Sequence, residues 1–240
     1  MTRVYVQHRQ VVVPGDLLAE DDGVIIETPA YIERIGKKLY ARVIGLVNVA
    51  TEEKKVKIGI IPLEGVYMPK AGDIVIGVVK DIGITHWEVD IRAPYHAILT
   101  VQEALEHPFN PITDSLRRYL DVGDYIIAKI VAFDRTRDPL LSIKGKGLGR
   151  VVEGAIVEIK PSRVPRVIGK KASMINMLKT ETGCEFVVGQ NGRILVKCPN
   201  KDLEEIAVLA IKMIEREAHT SGLTERVREM IRREKARRGA

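Results

Sequence analysis

The chain has 240 residues, of which 45% are apolar and 29% charged, so it can bury a core and is expected to form two or three compact units. Its longest stretch free of Asp, Glu, Lys and Arg, Ala93 to Gln102, is ten residues, against the roughly 18 that a membrane helix needs, and Met1 to Gln10 carries no secretion signal; a cytoplasmic protein without membrane spans is expected. The net charge of +6 permits a polyanionic partner without demanding one.

Val4 to Leu63 consists of short apolar runs broken by turn residues: Val11–Val13 stops at Pro14-Gly15-Asp16, Val24–Ile26 follows Asp22-Gly23, and Ala41 to Ala50 follows Gly36-Lys37-Lys38. This predicts a small all-β domain, residues 1–68. Gly72-Asp73 then opens a strand in which Ile74, Ile76 and Val78 share one face and Val75, Gly77 and Val79 the other. Both faces are apolar, as in a barrel strand that is also covered from outside. With Trp87–Ile91, His96–Thr100, Tyr125–Phe133 and Leu140–Lys144 it makes five strands, an OB-type barrel over residues 69–147. Alternation puts Trp87 beside Val89 and Ile91, in the core. Val101 to Leu120 is expected to be helical in parts, interrupted at Pro108 and Pro111. Gly145-Lys146-Gly147-Leu148-Gly149 lacks the spacing of a phosphate-binding loop and is read as a domain hinge.

The periodicity then changes. Glu153–Lys160 alternates as a strand, and Ser173–Glu181 winds with Ile175 and Leu178 inward. Strands Cys184–Val188 and Arg193–Lys197 are joined by Gly189-Gln190-Asn191-Gly192, where Asn-Gly marks a tight hairpin because both residues tolerate positive φ. Leu203, Ile206, Ala207, Ala210, Ile211 and Ile214 stripe a helix that starts at Asn200 or Lys201 and ends at Ser221-Gly222. Residues 148–218 thus read β-α-α-β-β-α. In residues 219–240, Leu223, Val227, Met230 and Ile231 make a helix docked by an apolar stripe, with an RNA-touching arm as the alternative. Divided at 68, 147 and 218, the four segments hold nine basic and nine acidic residues, ten and eleven, twelve and nine, and seven and three, so the basic excess is C-terminal. Cys184 and Cys198 show no CxxC spacing and are read as ordinary thiols outside any metal site. Asn and Gln number only nine, a bias toward heat adaptation.

The most informative motif is Val167-Ile168-Gly169-Lys170-Lys171-Ala172-Ser173. Gly169 lets a sugar-phosphate chain approach, the next helix presents unpaired N–H groups, and Lys170 and Lys171 add counter-charge. This resembles the KH domain, whose loop here is Gly-x-x-Gly; Ala172 stands at the second glycine, which costs about 1 kcal/mol if that position needs positive φ. A basic helix start without a ligand is the plainer alternative. The middle domain resembles the S1 RNA-binding domain through Gly72 to Val79, Val89-Asp90-Ile91 and Leu141-Ser142-Ile143-Lys144. Its strands offer few aromatic faces for stacking, so RNA contacts are expected from loops: Arg92, Tyr95 and His96 in one connection, Arg135 and Arg137 in another, and Arg117 and Arg118 before the fourth strand.

In full order, mainly β followed by α+β, the chain resembles the S1- and KH-type RNA-binding cap subunits of the archaeal exosome. The resemblance implies a non-catalytic subunit, three copies of which sit on a hexameric ring of RNase PH-like subunits through the N-terminal domain. Single-stranded RNA 3′ ends would be captured and guided through the pore for 3′-to-5′ phosphorolysis. It further implies that Gly189-Gln190-Asn191-Gly192 is a structural turn between KH and S1 domains, and that no cofactor or metal is required. Asp21-Asp22, Asp121 and Asp124 read as turn residues, and His8, His86, His96, His107 and His219 form no catalytic pattern. A free-standing S1/KH transcription or translation factor is the alternative.

Overall fold

The computed structural model describes residues 3–20, 23–29, 31–52, 55–107, 109–110, 114–134, 136–218, 220 and 222–239. It divides into Met1–Gly65 and Val66–Ala240, each taken by itself below. Asp21, Asp22, Pro108, Pro111, Arg135, His219 and Ser221 lie outside the described residues.

The first unit is two small sheets. Strands β1 (Arg3–Val4), β3 (Leu17–Glu20), β5 (Ile32–Ile35) and β6 (Lys38–Ala41) make one, in the order β1-β3-β6-β5; β2 (Val11–Val12), β4 (Ile25–Ile26), β7 (Gly45–Glu52) and β8 (Lys55–Pro62) make the other, in the order β2-β7-β8-β4. Between them Val12, Leu18, Leu39, Val47, Ile58 and Ile60 are buried. The second sheet also has an apolar outer face. Val11, Leu46 and Ile61 stand opposite one another across β2, β7 and β8, and Val13, Ile44 and Leu63 follow two residues along each chain. Val11, Ile61 and Ile44 remain 55%, 53% and 52% exposed.

The second unit begins with β9 (Ile74–Ile82), β10 (His86–Asp90), β11 (His96–Thr100), β12 (Tyr125–Ala132) and β13 (Leu140–Ser142). They run in the order β13-β11-β10-β9-β12, and β13 also pairs with β12, which closes a five-stranded barrel. Its core holds Val75, Val79, Val89, Ile91, Leu99, Ile126, Ile130 and Trp87, whose indole N–H donates to the Leu120 carbonyl at 3.0 Å. Among the described residues between β11 and β12, α1 (Val101–Ala104) and a 3₁₀ turn, Leu116–Arg118, are helical. Asp121 and Asp124 do turn chemistry: the Asp121 N–H donates to the Asp124 carboxylate at 2.8 Å. The glycine run after the barrel is not a loose hinge, for it ends in β14 (Gly149–Arg150), which pairs with β12.

The last fold is β15 (Ala155–Glu158), α2 (Val164–Ile168), α3 (Ser173–Thr182), β16 (Glu185–Val188), β17 (Arg193–Lys197) and α4 (Lys201–Arg216), with an antiparallel sheet ordered β15-β17-β16. Its helices pack on one sheet face around Val167, Leu178, Ile194, Val196, Ile206 and Ile211. Asn200 caps α4, its side-chain oxygen accepting the Leu203 N–H at 2.8 Å. The helix stops at Arg216, earlier than Ser221-Gly222, because the chain turns at Glu217, whose carbonyl accepts the Thr220 N–H at 3.0 Å. The other sheet face supplies the cover that the two-faced pattern of β9 requires: Leu195 packs with Ile76 and Ile127 of the barrel, joined by Tyr125, Leu148, Val151, Ile156 and Val187. Each large aliphatic so buried contributes about 1.5–3 kcal/mol.

The expectation for the two cysteines needs correction. Cys184 and Cys198 are joined as a disulfide rather than standing as thiols. Continuing the β16–β17 register, in which Glu185 faces Lys197, sets the two cysteines directly opposite. The chain closes with α5 (Leu223–Arg238). Leu223, Val227 and Ile231 dock it as its stripe predicts, and several of its cations, still exposed to solvent, pair with carboxylates. Arg232 and Arg228 reach Glu181 at 2.8 and 3.4 Å, Arg226 reaches Glu217 at 3.1 Å, and Arg238 reaches Glu205 at 2.5 Å.

Candidate RNA interface

In a closed barrel alternate connections emerge at the same end, and this divides the expected contacts into two groups. The β10–β11 connection, with Arg92 and Tyr95, shares an end with the β12–β13 connection, with Phe133 and Arg137; the Tyr95 and Phe133 rings meet edge to face at 4.9 Å and 69°. Exposed His96 and Arg137 belong to the same end. Arg117 and Arg118 lie in the β11–β12 connection, at the opposite end with the β9–β10 turn, where the Val101 N–H donates to the Thr85 carbonyl at 3.1 Å. Arg117 there lies 3.6 Å from Asp121. Phe133 was not singled out from the sequence; its signal is its place just ahead of Arg135 and Arg137 in one loop.

Arg92 is held in the left-handed region, φ +54°, by its N–H bond to the Asp90 carboxylate at 2.8 Å. Its guanidinium turns to the neighbouring fold, donating to the Ile159 carbonyl at 3.1 Å. It belongs to a buried seam, and the part that Arg92 and Arg193 play there was not legible in the sequence. Arg193, with 5% of its side chain exposed, bonds the Asp90 carboxylate at 2.7 Å and the Glu158 carboxylate at 2.8 Å, and donates to the Asp90 carbonyl at 2.7 Å. Burial pushes the Asp90 carboxyl up, but the Arg193 hydrogen bond and the Arg92 N–H outweigh it and hold the group below the usual carboxylate range.

The hairpin turn sits in the same seam. Asn191 is fully buried; its amide nitrogen donates to the carbonyls of Ile76 at 2.8 Å and Ile91 at 3.0 Å, and its oxygen accepts the Ile76 N–H at 3.3 Å. The Gln190 N–H adds a bond to the Ile74 carbonyl at 2.8 Å. Only Gly192 takes positive φ, +83°; Asn191 does not, because the turn spends its side chain on the barrel instead of on a two-residue reversal. A Cβ at Gly192 would fall 2.4 Å from the Ile159 carbonyl oxygen.

The Gly169-Lys170-Lys171-Ala172 loop lies between α2 and α3, with both lysines exposed. Gly169 has φ +76°, and a Cβ there would lie 2.6 Å from the Met174 nitrogen. Lys171 and Ala172 are both left-handed, at φ +51° and +62°, so Ala172 keeps a glycine-like conformation at about 1 kcal/mol. Ala172 offers no side-chain cap to α3. Arg135 lies outside the described residues. Among the described residues no group of three or more His, Cys, Asp or Glu is placed to hold a metal ion, and no helix is long and apolar enough to cross a membrane.

A closed S1-type barrel locked against a KH fold, preceded in the chain by a small N-terminal β domain, defines a three-module S1–KH protein. Family models agree segment by segment: residues 9–64 match the exosome RNA binding protein RRP4 N-terminal domain, 66–109 the RRP4 S1 domain, and 154–202 the KH domain. Curated relatives named exosome complex component Rrp4 match along nearly the whole chain. That of Ignisphaera aggregans is 48% identical over 235 residues, 96% of this chain and 92% of the relative. That of Saccharolobus solfataricus is 48% identical over 239 residues, 99% of this chain and 94% of the relative. A crystal structure described as an exosome complex RNA-binding protein superposes with a TM-score of 0.70 at 55% identity, covering 72% of this chain and 99% of that one. The chain belongs to the exosome complex component Rrp4 family.

Proposed function

We propose that this chain is a non-catalytic, cytoplasmic RNA-binding cap subunit of an exosome, which captures single-stranded RNA 3′ ends and guides them through the pore of an RNase PH-like ring for phosphorolytic 3′-to-5′ degradation. The observation that carries the reading is the barrel end at which Tyr95 and Phe133 stack edge to face beside His96 and Arg137. Aromatic faces with flanking cations hold single strands with little regard to sequence. Lys170 and Lys171, on a loop whose Lys171 and Ala172 are left-handed, offer further phosphate contacts. Support for ring docking comes from the outer sheet face of the first unit, where Val11, Val13, Ile44 and Ile61 stay exposed in a domain of balanced charge. A trimeric cap on a hexameric ring follows the family pattern.

The test combines two measurements. Full-length protein should bind single-stranded RNA with steep salt dependence and raise RNA degradation by a reconstituted ring, while alone it leaves RNA intact in the presence of phosphate. Replacing Ile44 and Ile61 with Asp should abolish ring association and spare RNA binding. Undiminished association of that variant would refute docking through this face, and RNA binding unaffected by ring addition would favour a free-standing factor.

A further inference from the structure

Beside the seam an open groove of about 290 Å³ is lined by Lys160, Arg163, Glu215 and Arg216. Its carboxylate is already engaged: Glu215 accepts the Lys160 backbone N–H at 2.7 Å and the Lys212 ammonium at 3.1 Å. Arg163 sits on the 3₁₀ turn Pro161–Arg163, tied by its N–H to the Lys160 carbonyl at 2.9 Å, and among the described residues no carboxylate is paired with it. Arg216 is 78% exposed and, among the described residues, approaches the Glu217 carboxylate alone, at 3.5 Å. Guanidinium groups so placed have donors turned to solvent, in the planar array that matches phosphate oxygens.

The position of the groove matters as much as its charge. The Ile159 carbonyl that receives the Arg92 guanidinium is one residue from Lys160, and Arg92 is three residues from Tyr95. The buried bonds of Arg193 and Asn191 fix this spacing, so barrel rim and groove move as one body. A strand whose bases stack at Tyr95 and Phe133 and whose backbone continues along the seam meets the groove with its phosphates.

We infer that Lys160, Arg163 and Arg216 form a phosphate-binding groove for single-stranded RNA, separate from the Gly169–Ala172 loop and continuous with the barrel rim. The inference rests on the RNA-binding reading above and names where along the seam the backbone is held. Each phosphate contact to a single strand contributes about 0.7 to the slope of log K against log salt. Removing two with Arg163→Ala and Arg216→Ala lowers the slope by about 1.4, which corresponds to roughly 25-fold weaker binding at 0.1 M salt and convergence with the parent near 1 M.

The experiment is a salt titration of fluorescent oligoadenylate binding by the full chain, its Tyr95→Ala variant, the Arg163→Ala/Arg216→Ala pair and the Arg163→Lys/Arg216→Lys pair. The alanine pair should lose affinity and slope as stated, and the lysine pair should retain most of the slope, which separates lost charge from lost fold. If the parent binds and Tyr95→Ala weakens it while the alanine pair keeps affinity and slope, this inference falls and the RNA-binding reading stands. If the parent does not bind RNA, both fall. Competition by polyglutamate as strong as by RNA of equal charge would mark an acidic-protein site and also overturn it.

Discussion

Replacing Asn191 with alanine removes a buried side chain that bonds the barrel at three points, the Ile76 N–H, the Ile76 carbonyl and the Ile91 carbonyl. A buried hydrogen bond contributes about 1 kcal/mol net, and the barrel groups left behind have no access to water, so the loss is about 3 kcal/mol. For a unit of roughly 150–250 residues that is a fall in Tm of about 6–12 °C. Scanning calorimetry of the full chain reads it directly. The parent should show the barrel and KH fold melting together, and the variant should melt lower, with the two folds separating. Gln190→Ala is the matched control, because Gln190 contacts the barrel through its backbone N–H and should shift stability by less than about 0.5 kcal/mol. A change of under about 2 °C on Asn191→Ala would refute the view that this amide joins the folds. Asn191 and Arg193 share the Ile76 carbonyl, so their effects should not add.

Ala172→Gly should stabilise the KH fold by up to about 1 kcal/mol, read by chemical denaturation, because it relieves a left-handed alanine, whereas Gly169→Ala should destabilise it through the clash with Met174. The Asp90 carboxyl is held below its unfolded value of about 3.9, so its contribution is present above that pH and is lost as pH falls through the lower folded value. Melting curves between pH 5 and pH 3 should therefore fall less steeply for Asp90→Asn, which starts less stable at neutral pH. Reducing the Cys184–Cys198 bond, which closes a loop of sequence separation 14, should lower stability by about 3 kcal/mol on the chain-entropy account, measured by melting with and without reductant.

Much of this architecture is legible residue by residue. Alternation along Ile74 to Val79 announces two apolar faces, and both are used: Val75 and Val79 in the barrel, Ile76 under the KH sheet. Trp87 follows its neighbours inward, and Asn200 caps the helix whose stripe it precedes. What stays hidden depends on partners distant in the chain. Arg92 looks like a loop cation until the Ile159 carbonyl, 67 residues on, claims it. Arg193 looks like one end of a hairpin strand until Asp90 and Glu158 converge on it. Arg117 and Arg118 separate from Tyr95 because connection order, not sequence distance, decides which end of a barrel a loop occupies. The cysteine pair was within reach, since Cys184 and Cys198 are equally far from the centre of the turn, and reading the hairpin register outward would have joined them.

The pairing of α5 changes what its charge does for a polyanion nearby. Glu181, Glu205 and Glu217 are each paired with an arginine of that helix, so it screens acidic groups of the KH fold. A chain shortened at residue 218 would strip three carboxylates of their arginine partners and uncover the core beneath Leu223, Val227 and Ile231. An approaching phosphate would then meet repulsion within a Debye length of about 10 Å at 0.1 M salt. The terminal helix is thus a counter-ion layer for the carboxylates of the fold it covers.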